Sequence, residues 1–300
     1  MKKRTLSVML GVVLVMLGCT FSISTPPPPT QVDEVGTVVA ATLQTFTQTP
    51  VEQATGVPEA ETPVAGQTDG TPVSFEYASL VIPDDVASGA NTDKMTAVSS
   101  NSDAPWDIAP THLRFTLTDY QLEDKFHEPR IFIYPANEYA QVNSNAAEQI
   151  DRIRKLLSGT ALMKETLPIV PFFNAQPLIA AHIKIIPFQN GNGVSSLTQY
   201  AQYAAPINNR ELFYHYQGLT SDGEYYVIAI LPITAPLLAE DEKPEAQVPA
   251  EGVPIPSDTG PNEVYYFSVT EKLNSLAPDS YTPSLNSMDA LIQSILIANP

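Results

Sequence analysis

The stretch from Ala181 to Ile233 constrains the fold most, because it reads as four short strands joined by tight turns. His182-Ile183-Lys184-Ile185-Ile186 leads into the repeated pair Asn190-Gly191-Asn192-Gly193, and a second strand runs from Val194 to about Tyr203. Glu211 to Tyr216 is the third, closed by a turn over Gly218 to Gly223, and Tyr225 to Leu231 is the fourth. Asn-Gly and Asp-Gly between β-rich runs favour hairpins because both residues accept positive φ. The spacing predicts an antiparallel meander. Its last strand is apolar on both faces, with Val227, Ala229 and Leu231 on one and Tyr226, Ile228 and Ile230 on the other, so it requires cover on both sides.

Helical periodicity supplies that cover at 145–157, about 262–274 and about 284–297. In the first, Asn145 and Glu148 read as a capping box, Gly159 as the stop, and Ala146, Ile150, Ile153 and Leu157 as the buried stripe. Alternation predicts further strands around Phe75 to Val81, Leu113 to Leu117 and Arg130 to Tyr134. Residues 83–110 read as a long polar loop, and 160–178 as proline-broken coil with room for one helical turn. The fold class is therefore α+β: an antiparallel sheet covered by helices, in a single domain over 73–300. A disordered insertion at about 237–261 interrupts it, where six acids, one lysine and several prolines carry no apolar period.

The N-terminal quarter has another composition. Met1-Lys2-Lys3-Arg4 is a basic start, Leu6 to Leu17 an apolar run of signal-peptide length, and Cys19 the one cysteine. Residues 20–73 hold six acids and no base; Pro26 to Pro29 stiffen the start of this linker, and Pro50 to Thr71 predicts disorder. Val35, Val38, Val39, Leu43 and Phe46 recur at helical spacing within 31–47, an amphipathic helix or a partly helical linker. Net charge is −18, and −21 without Lys2, Lys3 and Arg4. With no basic cluster, DNA, RNA and anionic lipid headgroups are excluded as partners.

Leu17-Gly18-Cys19 resembles the lipobox of bacterial lipoproteins, with Met16 at the first box position. The resemblance implies cleavage before Cys19, with residues 1–18 as the leader, and a diacylglycerol on the Cys19 sulfur. The partner at that end would be a bacterial membrane, on its extracytoplasmic face. Residues 19–72 would then hold the domain off the bilayer by a coil reach of roughly 40 Å. The residues alone leave open an uncleaved anchor helix with an incidental cysteine. A second resemblance rests on Gly193-Val194, Leu197-Thr198-Gln199-Tyr200-Ala201-Gln202, Pro206-Ile207-Asn208-Asn209, Glu211-Leu212-Phe213-Tyr214 and Gln217-Gly218-Leu219-Thr220. Together they resemble a block found in uncharacterised bacterial lipoproteins, which implies no activity. The order of strands and closing helices is similar to the PsbP-like sandwich, an analogy of topology alone.

No catalytic motif stands out. His112, His127, His182 and His215 fall at no metal-ligand spacing, and no nucleophile elbow is present, so no cofactor or metal is expected. Asp84, Asp85, Asn91 and Asp93 miss the calcium-loop pattern. The candidate ligand-binding set is a polar-aromatic belt of Tyr200, Asn208, Asn209, Arg210, Tyr214, His215 and Tyr216. Tyrosines with Asn and Arg at their rim suit a sugar or peptide, whereas tyrosines facing one another across strands also simply stabilise a sheet. Three functions follow. The first is a non-enzymatic binding or structural module for an envelope protein or polymer. The second is a glycan- or small-solute-binding protein. The third is a cell-envelope hydrolase using paired carboxylates.

Overall fold

A computed structural model describes residues 69–99, 105–243, 245–257 and 260–298. Cys19, the leader and the 31–47 helix lie outside the described residues. In chain order the elements are β1 (Thr71–Phe75), β2 (Ala78–Ile82), β3 (Gly89–Met95), β4 (His112–Thr118), β5 (Arg130–Pro135), α1 (Ala136–Val142) and α2 (Ser144–Leu157). They continue with β6 (Gln176–Pro177), β7 (Ala181–Phe188), β8 (Gly191–Thr198), β9 (Tyr200–Ala201), β10 (Phe213–Thr220), β11 (Tyr225–Pro232), α3 (Glu263–Ser275), α4 (Leu285–Ser294) and β12 (Leu296–Ile297).

The fold is α+β, built on a seven-stranded sheet of order β3-β4-β5-β11-β10-β8-β7 in which every pairing is antiparallel. Two meanders, β3-β4-β5 and β7-β8-β10-β11, meet where β5 pairs with β11, Ile133 opposite Val227 and Phe132 opposite Ile228. That join makes β11 central. Its alternation sends Val227, Ala229 and Leu231 into a core shared with α3, α4, β1 and β2. Tyr226, Ile228 and Ile230 enter a second core beneath α1 and α2. The sheet lies between two helical layers because no strand face at its centre can be left wet. Two smaller sheets, β1-β2-β12 and β6-β9, complete it.

Several boundaries differ from the sequence expectation, each for a local reason. The repeated Asn-Gly pair is not all turn: β7 and β8 pair already at Phe188 and Gly191, so Gly193 lies inside a strand. It is glycine because a Cβ there would sit 2.3 Å from the Gln217 carbonyl oxygen and 2.5 Å from the Tyr216 ring. Phe75 to Val81 is a hairpin, turned at Glu76 with φ of 52°, not one strand. The expected loop 83–110 contains the edge strand β3, whose residues are largely wet and so lack an apolar period. The α2 cap is Asn143, two residues early, whose Oδ1 accepts from Ala146 N at 3.1 Å; Leu156 is buried in place of Leu157, which is 37% exposed. Finally, α4 stops at Ser294, whose Oγ accepts from Val81 N at 2.9 Å and aligns β12 with β2.

The acidic segment after β11 also departs from its composition. Leu237, Leu238 and Ala239 are buried. Asn209 holds their backbone, donating from Nδ2 to Ala235 O at 3.1 Å and Leu238 O at 3.2 Å and accepting from Ala235 N at 2.8 Å. Mean composition does not register one buried amide that satisfies three backbone groups.

Candidate functional site

Five separate segments converge on a cleft of about 520 Å³ at one end of the sheet. The β4–β5 connection brings Phe126 and His127; the coil before β6 brings Phe172, Phe173 and Asn174; β9 and the residues after it bring Tyr200, Gln202 and Tyr203. Arg210 and Glu211 enter just before β10, and Glu242 from the acidic segment after β11. Loops on a rigid scaffold are where binding residues concentrate, and a mostly apolar, aromatic concavity with a few polar groups is the usual form of a small-molecule site.

Hydrogen bonds hold these loops in place. Phe126 N donates to Arg210 O at 2.9 Å, and Gln202 Nε2 donates to Asn174 O at 2.7 Å. Val170 N donates to the Tyr200 hydroxyl at 3.1 Å, which positions the Phe172-Phe173 pair. Asn208 Oδ1 accepts from Arg210 N and Glu211 N at 3.0 and 3.1 Å, a turn that sets both side chains at the cleft. Glu211 Oε2 accepts from Gln199 Nε2 at 2.9 Å, and Tyr203 donates its hydroxyl hydrogen to Glu242 Oε2 at 2.6 Å.

The electrostatics are those of a half-dry acidic site. Burial, then the charge of Glu242, raises the Glu211 carboxyl above its usual range; a hydrogen bond from Asn208 and, least, the charge of Arg210 oppose this. The bond to Glu242 pushes the Tyr203 hydroxyl up to about 12. His127 stacks on Phe173 with centroids 5.1 Å apart and 13° between planes, and meets Phe213 edge-on at 4.6 Å. Burial takes its pKa down to about 4, so it is neutral at physiological pH.

The belt read from sequence is divided by the sheet. Tyr200 and Arg210 reach the cleft. Asn208 and Asn209 do not; both are buried and hold backbone. Tyr214 and Tyr216 point into the core under α4, Tyr214 donating to Asp289 Oδ1 at 3.0 Å and Tyr216 to Ile186 O at 3.1 Å. His215 faces the other core, buried to 5% exposure, with Nε2 accepting from Gln217 Nε2 at 2.7 Å; the Gln217 oxygen accepts from Tyr226. Burial drives the His215 pKa down to about 3. These five belt residues, with Tyr216 shielding Gly193 and Gly218, stabilise the sheet and the backbone beside it, which corrects their assignment as one ligand surface.

No protein-family model matches the chain, and no curated protein matches it significantly. Among the described residues no group of three or more His, Cys, Asp or Glu is placed to hold a metal ion, and no helix is long and apolar enough to cross a membrane. Sequence reasoning missed Phe126, His127, Phe172, Phe173, Asn174, Gln202, Glu211 and Glu242 as site residues. A usable signal existed: paired aromatics, Phe126-His127 and Phe172-Phe173, stand in coil where no strand or helix period explains them.

Proposed function

We propose that the chain is an extracytoplasmic bacterial lipoprotein, anchored through lipid on Cys19, whose domain is a non-enzymatic binding module that takes a small organic ligand in the aromatic cleft. The anchor rests on the leader and on Leu17-Gly18-Cys19, the residues that resemble a lipobox. The resemblance of the 193–220 block to uncharacterised bacterial lipoproteins agrees with this placement.

One observation carries the binding reading. The approximately 520 Å³ cleft assembles exposed rings, Phe126 and Tyr203 each at 61%, from segments remote in sequence. Leaving such rings in water forgoes apolar burial, which a ligand restores. Catalysis is not part of the proposal. The histidines nearest the cleft are held neutral among aromatic rings.

Thermal-shift screening of the mature chain against saccharides, peptides and amines tests the reading, with Phe173→Ala and Tyr203→Ala as controls. The expected result is stabilisation by one class, lost in both variants; equal stabilisation of wild type and variants would place the ligand elsewhere. A second reading, an envelope protein as partner, draws on the outer face of α3, where Val264 and Phe267 are 75% and 67% exposed one turn apart.

A further inference from the structure

The reading that the cleft binds a ligand leaves its chemistry open, and the charges around the rings narrow it. Two carboxylates, Glu211 and Glu242, line the same cavity as Phe126, Phe172, Phe173 and Tyr203. Among the described residues neither carboxylate takes part in an ion pair. Their side-chain hydrogen bonds are with neutral groups, Gln199 and Asn208 for Glu211 and Tyr203 for Glu242. Arg210 is the cation of the lining, but it is exposed, and its effect on Glu211 is weaker than the repulsion from Glu242. Negative charge therefore exceeds positive charge in the lining, and among the described residues no ion pair neutralises either carboxylate.

We propose that the cleft recognises a small organic cation, an alkylammonium or quaternary ammonium group, seated on the aromatic rings with its charge toward Glu211 and Glu242.

The chemistry of each wall agrees. Aromatic faces carry negative quadrupole potential, so they attract a desolvated ammonium and repel an anion, and aromatic cages are a recurrent solution for quaternary nitrogen. A cation between the two carboxylates removes the repulsion that burial leaves uncompensated. The net charge of −18 steers cations toward the protein and anions away, before any contact forms. A neutral sugar could stack on the same rings, but it would leave the half-buried Glu211 beside Glu242 with the exposed Arg210 as the one cation of the lining. Its recognition gives no reason for the pair.

Isothermal titration of the full-length lipoprotein in detergent, with choline as the cation and 3,3-dimethylbutan-1-ol as its neutral isostere, tests the assignment. Maltose is the saccharide control. The proposal expects choline to bind at least about tenfold more tightly than the neutral isostere, with affinity falling as salt rises. Glu242→Gln is expected to weaken choline by several-fold and Glu211→Gln by about tenfold or more, both with unchanged melting temperature. Glu242 is exposed, so its variant remains informative if Glu211→Gln fails to fold. Equal affinity for choline and its isostere overturns the cation assignment. Maltose binding that is lost in Tyr203→Ala, with no choline binding, overturns it too and leaves the cleft as a binding site. No binding of any of the three overturns it as well, and a thermal-shift screen without a hit would then remove the cleft reading.

Discussion

The Tyr203 hydroxyl donates to Glu242 Oε2 at 2.6 Å, and this bond ties the loop after β9 to the acidic segment after β11 across the mouth of the cleft. Tyr203 is 61% exposed, so the bond contributes little to global stability, on the order of 0–1 kcal/mol. Its effect is local. Tyr203→Phe is expected to leave the melting temperature unchanged while speeding hydrogen exchange of the amides around Glu242. Unchanged exchange there would mean the segment is held by other contacts, with the Asn209 bonds to Ala235 and Leu238 as the first to examine.

A larger effect is expected at the centre of the sheet. Ile228 is fully buried, pairs opposite Gln217 on one side and Phe132 on the other, and packs in the core beneath α1 and α2. Ile228→Ala removes methyl groups that its neighbours cannot fully replace, at a cost of about 2–5 kcal/mol. Chemical denaturation measures this directly. A change under about 1 kcal/mol would contradict the central placement of β11.

The same strand marks the limit of what the sequence makes legible. Two-sided hydrophobicity along Tyr226 to Leu231 announces a covered central strand, and the structure places it there because that pattern has no other low-cost arrangement. The two helical layers follow from it. By contrast, β3 is an edge strand whose wet residues need no alternation, and the β1–β2 hairpin turns at Glu76, a residue type that does not advertise positive φ. Neither is visible in one sequence. The site was less legible still. A tyrosine counts the same in a strand whether it faces the core, as Tyr214 does, or a cleft, as Tyr200 does in part. Only tertiary pairing separates them, and it also brings Glu242 to Tyr203, 39 residues away in the chain.

At the other end of the chain, the proposed anchor depends on one sulfur. Cys19→Ala is expected to leave the leader uncleaved and the chain without diacylglycerol. Mass spectrometry of the membrane fraction would then show residues 1–18 still attached, and a mass without the lipid. Two or more acyl chains hold a protein on a bilayer stably where one does not, so carbonate extraction separates lipid anchoring from loose association. A wild-type chain carrying its leader and a bare Cys19 thiol would end the lipoprotein reading.

Acid should destabilise the domain through His215. The ring is 5% exposed, and burial holds its pKa near 3 against 6.5 for a free histidine, with the charge of His127 adding to the effect. Because the folded-state pKa is lowered, the unfolded chain binds the proton more readily. Stability is therefore complete above about pH 6.5 and falls as pH drops below it, the loss levelling off only near the folded pKa. At pH 5 this amounts to about 2 kcal/mol, taking about 1.4 kcal/mol per pH unit. His127, held near 4, acts in the same direction, whereas Glu211, with a raised carboxyl, favours folding in acid and offsets part of the loss at lower pH. His215→Gln keeps a polar group near Gln217 and removes the titration. Urea denaturation at pH 7.5 and pH 5.0 is expected to show a smaller drop for the variant than for wild type, by about 2 kcal/mol. An equal drop in both would mean that His215 is protonated in the fold as easily as in the unfolded chain, and that its burial against Gln217 and Phe213 does not exclude the charged ring.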